Sequence, residues 1–365
     1  MREFLFNGYA LYQGKIVFKD SKNGLLCELD IDTGKINCIE NLMYYQMEIS
    51  SLDCMIEHKG KLYGMQNDGN GMMIYDGTER MCQWINMNCC TRPWGNFTNV
   101  FSFEETLFFF HREERRITCY DILSNCTDKI IFENGINSVC SCRIGNEVWM
   151  FPEEGNTVQV FNLETRNSIF HELSSPVSSV VGCTRNDDNI YLLQKFGLIY
   201  VLNKTDLSIE IIDLAWKEEM SNAMGKILYV SNRIILLPSA GDDIKVIELD
   251  KNKVDVYSDY PVDFIYDDIV WSKYSTVCQD DEYYYLLRKS NYLLKIRKDD
   301  GKFVWIGLQA IDKEVEARLL FKYSKDVIWE SYLDIYTLIE NVSVIDKRNM
   351  TMNKSVGKEI WKKYE

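Results

Sequence analysis

The sequence predicts an all-β fold, a seven-bladed β-propeller of four-stranded antiparallel blades, and three observations predict it. The first is a repeat of an aromatic or aliphatic run behind a polar turn residue. It begins as Lys15 before Ile16-Val17-Phe18, Lys61 before Leu62-Tyr63, Thr106 before the Leu107 to Phe110 run and Glu147 before Val148-Trp149-Met150-Phe151. It continues as Asn189 before Ile190-Tyr191, Arg233 before Ile234-Ile235 and Glu282 before Tyr283-Tyr284-Tyr285. The second is a parallel series in which Asp30, Asp76, Asp121, Asn162, Asn203, Glu248 and Arg297 each close another strand-like run, at steps of 41 to 49 residues like the first series. Two series drifting together at that period, with several short strands per unit, are the signature of propeller blades. The third is capacity: 365 residues, 46% hydrophobic and 13% aromatic, are enough for seven such units and a core between them.

Within a unit, the third repeat shows the expected elements in order. Val100 to Phe103, Leu107 to Phe110, Ile117 to Ile122 and Lys129 to Phe132 are short runs of β-formers separated by polar turns. Corresponding second strands are expected at 16–18, 62–65, 107–110, 148–151, 190–193, 234–237 and 283–287. The propeller is assigned residues 1–330, with no Pro-rich, Gly/Ser-rich or charge-block linker inside it.

The end of the chain departs from the period. Asp326 before Val327-Ile328-Trp329 arrives on time, which leaves eight blades as the alternative. The next closing position, Asp346, comes 49 residues after Arg297, and Tyr332, Ile335, Tyr336 and Ile339 fall at helical spacing. Residues 331–365 are therefore read as a half repeat and a short helical tail, with Val356, Ile360 and Trp361 on one side of its last segment, packed on the propeller.

Charge and cysteine usage bound the setting. A net charge of −14, from 41 Lys and Arg against 55 Asp and Glu, disfavours nucleic acid and anionic membrane surfaces as partners. No signal-peptide or membrane-spanning apolar run occurs, so the chain is expected to be cytoplasmic and monomeric. Its twelve cysteines contain no C-x-x-C pair and fall in strand-like positions, which reads as reduced core thiols. Cys89-Cys90 and Cys140/Cys142 are the pairs spaced for redox chemistry. Three scattered histidines give no metal-ligand spacing, and no cofactor is expected.

The register Gly14-Lys15-Ile16-Val17-Phe18, His58-Lys59-Gly60-Lys61-Leu62-Tyr63 and Gly145-Asn146-Glu147-Val148-Trp149, with endings such as Ile74-Tyr75-Asp76, resembles kelch-like and related bacterial β-propellers over about residues 4–330. The double glycine that ends the second strand of kelch repeats is absent from every unit, and no Trp-Asp dipeptide occurs. The resemblance implies a propeller fold and a binding role.

Motifs for nucleophilic hydrolysis, zinc-dependent proteolysis and phosphate binding are absent. Paired carboxylates such as Glu153-Glu154 fall in turns and read as solvated loop residues. What remains is one face of the ring. Chain reversal at every turn sends the second-to-third loops and the inter-blade loops to the same side. Trp94, His111, Arg112, Lys195, Trp271 and Arg288 fall there, and aromatic residues beside arginine are the composition of binding hot spots. The expected function is thus a non-catalytic binding or scaffold module recognising a protein, peptide or glycan partner. The alternative is a carbohydrate-active hydrolase or lyase using His111, Arg112 and Arg288 at the channel mouth.

Overall fold

The computed structural model describes residues 6–20, 24–42, 52–66, 71–87, 97–112, 114–214, 223–239, 243–251, 253–264, 277–287 and 291–309. They form seven four-stranded sheets, each a simple meander in which the strands pair antiparallel in chain order. Blade 3 has its strands at Phe97–Phe103, Thr106–His111, Arg116–Asp121 and Cys126–Ile131. The second strands of the seven blades run Lys15–Asp20, Lys61–Gln66, Thr106–His111, Glu147–Pro152, Asn189–Gln194, Arg233–Pro238 and Tyr283–Leu287. These are the seven expected positions, extended by a residue or two at most ends. The eighth anchor at Asp326 and the half repeat and helical tail over 331–365 lie outside the described residues. No described helix is long and apolar enough to cross a membrane.

The two sequence registers have separate physical origins. The first marks the second strand, which lies between two neighbours in its sheet and between two adjacent blades, so it reads as a continuous apolar run. Leu107, Phe108, Phe109 and Phe110 are all buried, as are Ile234, Ile235, Leu236 and Leu237. The second marks the turn between third and fourth strands, where an Asp or Asn side chain accepts hydrogen bonds from backbone two and three residues on. Asp30 Oδ1 accepts from the N–H of Asp32 at 3.1 Å and of Thr33 at 2.8 Å. Asn162 Oδ1 accepts from Glu164 and Thr165 at 3.0 and 2.9 Å, and Asp121 and Asn203 cap their turns in the same way. That bond requirement explains why the first five members of the series are Asp or Asn.

Hydrophobic cores sit between blades rather than within them. Phe108, Phe110, Val148, Met150 and Phe161 fill the space between blades 3 and 4. The innermost strands are laced around the ring by further bonds. Arg143 donates from Nη1 to the Ser102 carbonyl at 2.8 Å, and Arg185 from Nε to the Arg143 carbonyl at 2.9 Å. The backbone N–H of Tyr229 in blade 6 reaches Thr184 Oγ1 in blade 5 at 3.1 Å.

Among the described residues all four strands of blade 7, from Cys278 to Gly307, come from one stretch of chain, and Gln309 just beyond them forms a parallel bridge with Lys35 of blade 1. The seam between blades 7 and 1 is also held by local bonds. The Leu287 N–H donates to the Tyr9 hydroxyl at 2.9 Å, the Gln309 N–H to the Gly34 carbonyl at 2.8 Å, and Gln309 Nε2 to the Thr33 carbonyl at 2.9 Å. Lys295 Nζ stands 3.1 Å from Asp32 Oδ1. Gly34 has φ of 71°, and a Cβ there would stand 2.0 Å from the Gly307 carbonyl oxygen, so both backbone conformation and close approach require glycine.

Candidate functional site

The first strands line a central channel of about 850 Å³. Most of them begin with a β-bulge. Leu52 pairs with Gln66 before Cys54 pairs with Met65, Phe97 with His111 before Asn99 with Phe110, and Val180 with Gln194 before Gly182 with Leu193. A bulge bends its strand and adds twist, and here it recurs at one rim of the channel. It also corrects a detail of the sequence reading. His111, expected in the loop after the second strand of blade 3, lies within the end of that strand and is buried, as are Lys19, Gln66 and Gln194 at the ends of theirs. The bulged first strand folds over them.

His111 shows the consequence. Its side chain is fully buried, with the Phe97 ring centroid 4.7 Å from its own. Nε2 lies 2.8 Å from Thr118 Oγ1, and Glu114 Oε2 stands 3.4 Å from Nδ1 while also pairing with Arg116. A neutral imidazole fits both sides, with its proton on Nδ1 toward the carboxylate and Nε2 accepting from the threonine. Burial, reinforced by Arg116 and Lys129, pushes the ring's pKa down to about 3. His111 is therefore a structural group beneath the rim and does not present a titrating ring to the channel.

Arg112 and Lys195 are both channel-lining residues. Each follows a second strand directly, in blades 3 and 5. Arg112 is exposed; Lys195 is half-buried, with its Nζ 5.2 Å from the Phe196 ring centroid. Lys195 is also fixed in the backbone, because its N–H donates to Ser179 and its carbonyl accepts from Met224, both at 3.0 Å, joining blade 5 to the start of blade 6. Trp94, Trp271 and Arg288 lie outside the described residues.

Two features escaped the sequence. Lys226, on the first strand of blade 6, adds a third cation to the channel wall, and Glu57 is the carboxylate among the described lining residues. Nothing in the repeat spacing marked a lysine inside a first strand as a channel-lining residue. Next to the channel, and sharing Val139 with it, a cleft of about 700 Å³ opens between blades 3 and 4. Arg115, Asn137, Glu153 and Glu154, from the loops of the same face, line it together with Asn156 at the start of the third strand of blade 4. Glu153 and Glu154, read as solvated loop residues, are exposed, yet they form one wall of this cleft.

The rest of the channel wall is close to neutral. Cys54, Cys140, Cys183 and Cys278 line it. Contact with the Cys140 thiol, together with burial, holds the Cys183 thiol well above its usual range, and burial does the same for Cys278. Such thiols behave as small apolar groups. Among the described residues no group of three or more His, Cys, Asp or Glu is placed to hold a metal ion. The arrangement offers Arg112 and Lys195 on the lining of a channel with mostly uncharged walls, beside a cleft of mixed charge.

No family model matches the chain, and no curated protein does. Many solved structures share its fold. Virginiamycin B lyase from Staphylococcus aureus is 14% identical with a TM-score of 0.61, over 80% of this chain and 95% of that one. PorZ, a surface component of the type-IX secretion system of Porphyromonas gingivalis, is 12% identical with a TM-score of 0.57, over 85% of this chain and 39% of that one. A chain of the mitotic checkpoint complex is 10% identical with a TM-score of 0.53, over 84% of this chain and 87% of that one. At these identities the likeness is one of fold.

Proposed function

We propose that this chain is a non-catalytic binding module, a kelch-like bacterial propeller of the cytoplasm that acts as a monomer and grips a partner on the face bearing Arg112 and Lys195. The observation that carries this reading is that both residues, from blades two apart, line the same channel. In a protein of net charge −14, a cationic mouth stands out against the average field and selects an acidic segment of its partner. A protein or peptide partner fits that chemistry. Two of the structural neighbours, the secretion-system component and the checkpoint-complex chain, are by their descriptions parts of larger assemblies, which supports a protein partner in general. A glycan is the finer alternative.

The carbohydrate-active alternative is weakened at its candidate His111, because a fully buried imidazole with its pKa pushed down to about 3 does not reach a substrate at the mouth and is not the charged, acidic form at neutral pH.

The test is capture of partners from the native cells by the intact chain and by Arg112→Glu/Lys195→Glu, with thermal unfolding showing that the variant is folded. A specific partner lost with the double variant and kept by Lys59→Ala or Asn146→Ala, on the opposite face, supports the reading. Retention by the double variant, or equal loss from both faces, removes this site.

A further inference from the structure

A pair of cysteines unused by the binding site lies at the seam of the ring. Cys27 and Cys38 stand directly opposite each other on the third and fourth strands of blade 1, next to an irregularity in the pairing between Leu26 and Cys27. Their Sγ atoms are 3.8 Å apart, and neither is in a disulfide. Directly opposed residues on paired strands have Cβ atoms about 4.5–5.5 Å apart, and a disulfide needs about 3.5–4.5 Å. A small shift of one strand is enough, and a bulge is where a ladder gives most easily.

Their environments differ in a way that orders the chemistry. Cys27 is fully buried in the core between blades 7 and 1, beside Leu25, Tyr285 and Leu293. Cys38 packs against the same core but is half-exposed. An accessible thiol in contact with a buried one is the arrangement of an attacking cysteine with its resolving partner.

We propose that Cys27 and Cys38 are a reversible disulfide site oxidised by low-molecular-weight disulfides. The Cys38 thiolate attacks one sulfur of R–S–S–R, forming a mixed disulfide and releasing one RS⁻. Cys27 gives its proton to that departing thiolate and attacks Cys38 Sγ, expelling the second RS⁻. The two protein thiols are oxidised to one disulfide, and one small disulfide is reduced to two thiols. The new bond joins the outer two strands of blade 1 on the face that docks onto blade 7, so the redox state acts on the joint where the two ends of the propeller meet. This is a different surface from the channel mouth, and the site stands whether or not the binding reading does.

The experiment treats the intact, folded chain with oxidised glutathione and maps its peptides under non-reducing conditions. The expected result is a loss of about 2 Da with the Cys27 and Cys38 peptides linked, reversed by dithiothreitol. Cys38→Ser abolishes the reaction at this pair, and Cys27→Ser halts it at a glutathione adduct on Cys38. Cys27→Ala replaces Cys27→Ser if the serine prevents folding. Linkage of Cys140, Cys142 or Cys183 instead, a glutathione adduct that persists on Cys38 in the wild type, or no reaction at this pair overturns the proposal.

Discussion

The interface between blades 3 and 4 and the seam between blades 7 and 1 perform the same task with different chemistry. Between blades 3 and 4 the chain is continuous, and the contact is aromatic. The Phe161 ring meets Phe108, Phe110 and Phe132 at centroid distances of 5.9, 5.9 and 6.0 Å, while Arg166 lies over Phe108 and bonds Thr106 across the gap. At the seam the partners are hundreds of residues apart in sequence, and apolar packing is supplemented by directional bonds from Tyr9, Thr33, Gly34 and Asp32. A non-local joint meets a loop-closure cost that neighbouring blades do not, and apolar contact alone does not fix its register. Both interfaces thus combine apolar packing with hydrogen bonds such as Arg143 to Ser102, and they differ in emphasis: clustered phenylalanine rings between blades 3 and 4, backbone-directed bonds at the closing joint.

The largest effect is expected from volume. Phe161→Ala removes a fully buried ring that touches three others, and is expected to cost about 3–5 kcal/mol in denaturant unfolding. Protection from hydrogen exchange should fall first in blades 3 and 4. A loss below about 1 kcal/mol would show that this interface does not rest on the aromatic cluster.

Geometry at the seam comes next. Gly34→Ala places a methyl against the Gly307 carbonyl and forces a side chain into left-handed backbone, and is expected to cost about 1–3 kcal/mol. Exchange should rise in blades 1 and 7 while blades 3 and 4 keep their protection. Uniform loosening of the whole ring would erase the distinction between the two interfaces.

Acid sharpens the comparison from the side of blade 3. His111 is held neutral when folded, with its pKa down to about 3, and titrates near 6.5 when unfolded. The unfolded chain therefore binds an extra proton between those values, and stability falls as pH falls from about 6.5, by at most about 1.4 kcal/mol per pH unit. Carboxylates with lowered pKa, such as Asp30 and Asp121, add to acid lability only further down, around and below their ordinary 3.8. The window from about pH 6.5 to 5 thus belongs to the histidine, and His111→Gln should flatten the unfolding profile there. An unchanged slope would show that the ring is not held neutral.

How much of this was legible in the sequence follows the same division. Second strands announce themselves because burial on both sides makes runs such as Leu107 to Phe110 continuous, and the Asp30 to Asn203 series is visible because a turn needs a side-chain acceptor at a fixed place. Arg112 and Lys195 could be placed on one face from chain reversal alone. The burial of His111 could not be, since it depends on a bulge that adds one residue to the pairing of Phe97–Phe103 and leaves no mark in hydrophobic period. Lys226, the cleft wall at Glu153 and Glu154, and the Cys27–Cys38 contact are products of register between segments, which one-dimensional spacing does not carry.

The smallest effect is expected where structure is most local. Asn162 closes the third-to-fourth turn of blade 4 through bonds from its Oδ1 to two backbone N–H groups, both within three residues, and its neighbourhood is exposed on the side of the ring opposite the channel mouth. Water replaces much of what such a bond contributes, so Asn162→Ala is expected to cost about 0.5–1.5 kcal/mol. Asn162→Asp should restore most of it, because the same oxygen is present and Asp already serves at Asp30 and Asp121. Partner affinity should not move for either variant. A cost above about 3 kcal/mol, or failure of aspartate to rescue, would mean that the turn does more than close its own hairpin, and that local and non-local parts of the ring are coupled more tightly than the contrast between seam and interior implies.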